Sequence, residues 1–166
     1  MLPVAGLTRR LASLAYEALL LTALLFIASF LLLPLVSDGR GASAASLAVP
    51  DLPSRAILFC ALFAIAAAYF IWFWTGGRRT LPQKTWRLRV VTLEGRPPAY
   101  RRALIRYLGG WIGPVLALFT YVTMKPYGLA GVALVPFALN YLAAFVDAER
   151  QFLHDRIAGT RIVQDS

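Results

Sequence analysis

Cysteine occurs once in this 166-residue chain, at Cys60, and histidine once, at His154. A lone cysteine excludes an intramolecular disulfide and excludes metal chelation by cysteines. No second histidine and no placed nucleophile stands beside His154 and Asp155, so neither a metal centre nor a catalytic set is expected, and no cofactor. Charge is also scarce. Only 15% of residues are charged, and acids number eight against seventeen bases.

What fills the chain instead is apolar. Hydrophobic residues make up 59%, well above an ordinary soluble domain, and they are gathered into long blocks rather than spread periodically. The reading is an all-α membrane protein of one domain, residues 1–166. Four transmembrane helices are expected at approximately 11–36, 55–75, 104–124 and 129–146, with a basic loop at 76–103. Each block approaches the about 20 residues that cross a hydrocarbon core. Pro114 and Pro136 should kink the third and fourth blocks by removing a backbone hydrogen bond. Ser37 to Ser54, rich in Gly, Ala, Ser and Pro, reads as a loop, and Lys125-Pro126-Tyr127-Gly128 as a short turn. The first block is expected to be a retained spanning helix rather than a secretory leader, whose apolar core is only about 7–15 residues.

Net charge is +9, which in a soluble chain would suggest nucleic acid. The location of the charge argues otherwise. Nine of the seventeen bases (Arg78, Arg79, Lys84, Arg87, Arg89, Arg96, Arg101, Arg102 and Arg106) fall between the second and third apolar blocks, with Glu94 the one acid among them. This is the pattern of a cytoplasmic loop under the positive-inside rule, touching anionic headgroups. Both termini should then be cytoplasmic, in a bacterial inner membrane. The expected partners are the lipid bilayer and a second copy of the chain, not nucleic acid. Within this loop Arg87-Leu88-Arg89-Val90 alternates as a strand would, Glu94-Gly95 offers a hairpin turn, and Pro97-Pro98 can open a basic interfacial helix.

One acid breaks the first block. Glu17 lies seven residues after Arg10, hence nearly on one helix face, about 10 Å away along the axis. A charge at bilayer depth costs roughly 2.5–3.5 kcal/mol on insertion scales and usually faces protein or water. Direct pairing with Arg10 would be stretched, so Glu17 should meet another helix. Asn140, Ala144 and Asp147 recur at helical spacing in the fourth block and offer a small, polar face. The candidate charge network is therefore Arg9, Arg10, Glu17, Asn140, Asp147, Asp155 and Arg156. The candidate headgroup contacts are Arg78, Arg79, Lys84, Arg87, Arg89, Arg101, Arg102 and Arg106. Gly109 and Gly113 form a GxxxG pattern suited to close packing inside the chain.

Three segments resemble those of the RDD family of bacterial membrane proteins, named for one arginine and two aspartates. They are Arg9-Arg10-Leu11 with the acid at 17, the run from Thr80 to Val91, and the run from Asp147 to Thr160. The chain departs from the family pattern at Glu17, where aspartate is usual, and at Arg79, where glutamine is common. The resemblance implies a small helical membrane domain and suggests transport of an unidentified ligand. The competing expectation is a non-transporting scaffold whose buried charges specify helix pairing.

Overall fold

Helix α1 (Leu7–Val36) is 30 residues long, about 45 Å at the rise of an α-helix. A computed structural model describes residues 3–36, 51–147 and 151–164, the side chains of Leu35, Val36, Asn140 and Val146 excepted. The expected loop over residues 37–50 lies outside the described residues, as do Glu149 and Arg150. Helix α1 begins at Leu7 rather than Leu11, so Arg9 and Arg10 belong to its first turn. Helix α2 (Leu52–Trp74) starts on Asp51, whose carboxylate accepts from the Ser54 amide at 3.2 Å. It stops where Gly76 and Gly77 take φ of 61° and 74°, a left-handed turn that glycine adopts without steric cost.

The basic segment that follows is folded rather than a loop. Helix α3 (Leu81–Thr85) is opened by a capping box, the Thr80 hydroxyl accepting from the Gln83 amide and the Gln83 side chain from the Thr80 amide. Strand β1 (Leu88–Thr92) comes next, then α4 (Tyr100–Gly110) and α5 (Ile112–Met124). A short 3₁₀ turn and Gly128, at φ 73°, reverse the chain. A second 3₁₀ turn, Ala130–Ala133, leads into α6 (Leu134–Val146), and α7 (Leu153–Ala158) precedes β2 (Thr160–Gln164).

The third apolar block is thus two helices broken at Trp111, and Pro114 and Pro136 sit in the first turns of α5 and α6 instead of kinking longer helices. Proline is tolerated there because a first-turn amide has no partner inside the helix.

The all-α expectation needs correcting. Strand β1 does not fold back on a neighbour across Glu94-Gly95; it pairs antiparallel with β2, from Leu88 opposite Gln164 to Thr92 opposite Thr160. Pro97 and Pro98 have no amide to give a returning strand, so the partner comes from far along the chain. Residues 3–5 lie along the other side of β2: Val4 bridges Val163, and the Ala5 amide donates to Ile162 O at 3.1 Å. Ala5, Leu88, Val90 and Ile162 pack together with Trp74 as the core of this small sheet.

Three stretches, Leu7–Pro34, Leu52–Trp74 and Tyr100–Tyr127, are long and apolar enough to cross a membrane. Their outer faces are bare: Leu19 and Leu31 are each 72% exposed. Apolar surface of that extent belongs against lipid. The small residues face inward. A methyl group on Gly109 would stand 3.3 Å from His154 Cβ, and one on Gly113 would stand 3.0 Å from Phe137 O, so the GxxxG pair serves packing within the chain.

Candidate functional site

Arg10, Ser13 and Glu17 follow one another at helical spacing on a single face of α1, and all three are buried. The same face continues through Leu14, Ala18, Leu21 and Leu25. Across from it, α2 presents Phe59, Phe63, Ala66, Phe70 and Trp74, again at helical spacing. Between them lies a cavity of about 480 Å³, closed further by Gln83, Arg106, Tyr107, Trp111, Tyr141 and His154. Its polar groups are few among many apolar ones, the usual composition of a ligand site.

Glu17, only 7% exposed, is held by two hydroxyls. Tyr69 lies 2.7 Å from Oε1, and Thr80 donates to Oε2 at 2.6 Å. The Thr80 oxygen also accepts from the Gln83 amide, which leaves its proton and its second lone pair for Glu17. Tyr69 has the same freedom. Its hydroxyl can donate to an ionised Glu17 or accept from a protonated one without moving a heavy atom. Both hydroxyls come from outside α1, one from α2 and one from the cap of α3. They satisfy a carboxylate without bringing a like charge beside it.

The other candidate acids are engaged elsewhere. Asp155, fully buried, forms an ion pair with Arg106. Arg106 also donates to Thr160 Oγ1 at 3.0 Å and lies 4.7 Å from the centroid of the Trp74 ring. Arg106 was expected at the headgroups; at 3% exposure it is an interior residue that ties α4 to α7 and β2. Asp147 accepts from Arg156 at 2.7 Å and from the Gln151 amide at 2.8 Å, so it links the end of α6 to α7. Arg10 is 2% exposed and sits 4.9 Å over the Phe152 ring, while its neighbour Arg9 is exposed. The side chain of Asn140 lies outside the described residues.

His154 stacks on Phe152, ring centroids 5.6 Å apart. Burial first, and then the positive charges of Arg106 and Arg10, hold its imidazole well below the usual histidine range, so it is neutral at pH 7. Among the described residues no three His, Cys, Asp or Glu side chains come together as metal ligands.

The remaining basic residues divide. Arg78 folds back on α2, donating to Trp72 O at 2.7 Å and covering the Trp72 ring. Arg102 reaches Glu94 and Gly159 O. Arg79 and Arg89 are half-buried, and Lys84, Arg87 and Arg101 are exposed. Sequence reasoning missed Tyr69, Thr80 and Gln83 as neighbours of Glu17. The Thr80-x-x-Gln83 spacing of a capping box was the available signal for two of them.

Comparison with curated proteins and with solved structures returns no match. The description RDD family fits residues 4–159, a stretch that holds Arg10, Glu17, Thr80, Arg106 and Asp155 together, and with nearly its whole length matched the chain belongs to the RDD family.

Proposed function

We propose that this protein transports a cation or proton, or another small ligand coupled to one, through the membrane, and that Glu17 is the group that takes and releases it. The observation that carries this reading is the hydrogen bonding of Glu17: each of its oxygens faces a hydroxyl, and a hydroxyl can donate to a carboxylate or accept from a carboxylic acid. A carboxylate so held can change charge at the wall of a cavity without repacking the helices around it. Intramembrane ionisable groups mark such pathways by default. The reaction calls for no bond-making catalysis and no cofactor.

The same reading includes four crossings with both termini in the cytoplasm of a bacterial inner membrane. Its support is the sheet: residues 3–5, β1 and β2 are hydrogen-bonded neighbours, so the path between any two of them leaves that side and returns to it. The exposed Lys84, Arg87 and Arg101 would meet anionic headgroups there. A second copy of the chain would supply the moving interface that so small a transporter needs.

The scaffold reading is favoured by one specific fact. The buried Arg106–Asp155 pair joins distant segments, as would charges kept to specify pairing. The two readings separate in liposomes that hold a pH-sensitive dye. Transport requires dye-reported proton movement on imposing an alkali-cation gradient, with at least about a tenfold loss in Glu17→Gln, a loss equal to about 1.4 kcal/mol of barrier. No flux in the wild type, with Glu17→Gln only less heat-stable, leaves the scaffold.

A further inference from the structure

Thr80 meets Glu17 across 63 residues of chain, and the element that presents it is a single turn of helix. Helix α3 has five residues, far below the about 12–15 at which an isolated helix becomes marginal, so its start depends on side-chain bonds. Gln83 makes both contacts of that start. Its Oε1 accepts from the Thr80 amide at 3.1 Å, and its own amide donates to Thr80 Oγ1 at 3.3 Å. The second bond reaches the same oxygen that lies 2.6 Å from Glu17 Oε2. The turn has two sides: Thr80, Pro82 and Gln83 are buried, while Leu81, Lys84 and Thr85 are exposed. One side belongs to the membrane site and the other to the basic segment.

A hydroxyl bonds an ionised carboxylate roughly twice as strongly as it bonds a neutral partner. How closely Thr80 is held therefore bears on which of its two states Glu17 takes. Thr80 is sealed from solvent, at 0% exposure. Without Gln83 Oε1 its amide would lose its acceptor in a setting where water cannot replace it, and the cap would turn to find another. The hydroxyl would turn with it.

We infer that Gln83 is a positioning residue for Glu17: acting through the Thr80 hydroxyl, it biases the carboxyl between its ionised and protonated forms and couples α3 to the membrane site. The coupling is mutual, because the state of Glu17 that bonds Thr80 better also holds the turn better. The inference rests on the reading that Glu17 exchanges a proton.

Dicyclohexylcarbodiimide adds to a protonated carboxyl group in an apolar setting, and its adduct on Glu17 is counted by peptide mass spectrometry of the full chain in nanodiscs. Each rate is divided by the same variant's plateau at acid pH, which cancels differences in access of the reagent. At the pH where the wild type has fallen to about one-tenth of its plateau, Gln83→Met should react at least about threefold faster on this scale, the loss of one charge-assisted bond being felt by Glu17. Gln83→Asn, one methylene short of the Thr80 amide, gives a second reading of the same loss and should rise as well. Thr80→Ser keeps the hydroxyl and should follow the wild type. Thr80→Val should also rise, and adding Gln83→Met to it should change nothing more, because the effect passes through that hydroxyl. A Gln83→Met profile coincident with the wild type, or an equal increment with and without the Thr80 hydroxyl, overturns the inference and leaves proton exchange at Glu17 standing. A wild-type rate that stays flat across pH sinks proton exchange itself, and the inference with it.

Discussion

Arg106 carries its charge into the interior because three groups from three segments receive it: the Asp155 carboxylate, the Thr160 hydroxyl and the face of Trp74. Removing one member of such a pair strands the other in a medium that cannot solvate it, at a cost of about 3–5 kcal/mol, whereas removing both can be close to neutral. Arg106→Leu and Asp155→Leu should each lower the melting temperature in detergent sharply. The double variant should be more stable than either single one. A double variant whose loss equals the sum of the two single losses would show that the pair does not couple. Glu17 and Arg10 were legible in the sequence because a charge inside an apolar run stands out by composition alone. Arg106 was not, since nine basic residues in one segment look alike until tertiary pairing singles one out. The same holds for Tyr69, one aromatic among several at the end of α2, whose hydroxyl finds Glu17 from 52 residues away.

At the scale of elements, hydropathy located the long helices well and their ends poorly. Ends are decided by local hydrogen bonds such as the Asp51 cap and the Thr80–Gln83 box, which the apolar pattern does not encode. The strand at Leu88–Thr92 was readable from alternation, but its partner was not, because pairing across some seventy residues is a tertiary choice that leaves no local mark. Packing of α5 on α6 depends on a backbone approach that only glycine permits. A Cβ at Gly113 would stand 3.0 Å from Phe137 O and 3.1 Å from Pro136 O, both backbone atoms in the first turn of α6. Such atoms cannot rotate away as a side chain would, so the helices must separate. Gly113→Val should destabilise the protein by about 1–3 kcal/mol, the usual cost of overpacking. At Gly110 a methyl group would meet nothing within 4 Å, and Gly110→Ala should melt no lower than the wild type, alanine being the better helix former. Equal melting of the two variants would remove close packing as the reason for Gly113.

For the molecule as a whole, the weakest stretch of the proposed four-crossing path is its return. Helix α6 has 13 residues, about 20 Å at the α-helical rise, short of a hydrocarbon core of about 30 Å. The 3₁₀ turn before it has four residues and adds at most about 8 Å at its longer rise. Together they reach about 28 Å, slightly short of the core, and a bilayer thins locally around a short span at modest cost. The sheet sets the demand that this marginal helix must meet, since β1 and β2 can pair only if the chain between them comes back. Single cysteines in a Cys60→Ser background test the path with a membrane-impermeant thiol reagent on intact cells. Lys84→Cys and Ser166→Cys should be labelled only after the membrane is opened, whereas Ser43→Cys and Tyr127→Cys should be labelled from outside. Labelling of Ser166→Cys on the side opposite Lys84→Cys would mean an odd number of crossings between them. The antiparallel pairing of β1 with β2 could not then exist in the membrane, and the part of the cavity lining formed by Arg106 and His154 would come apart with it.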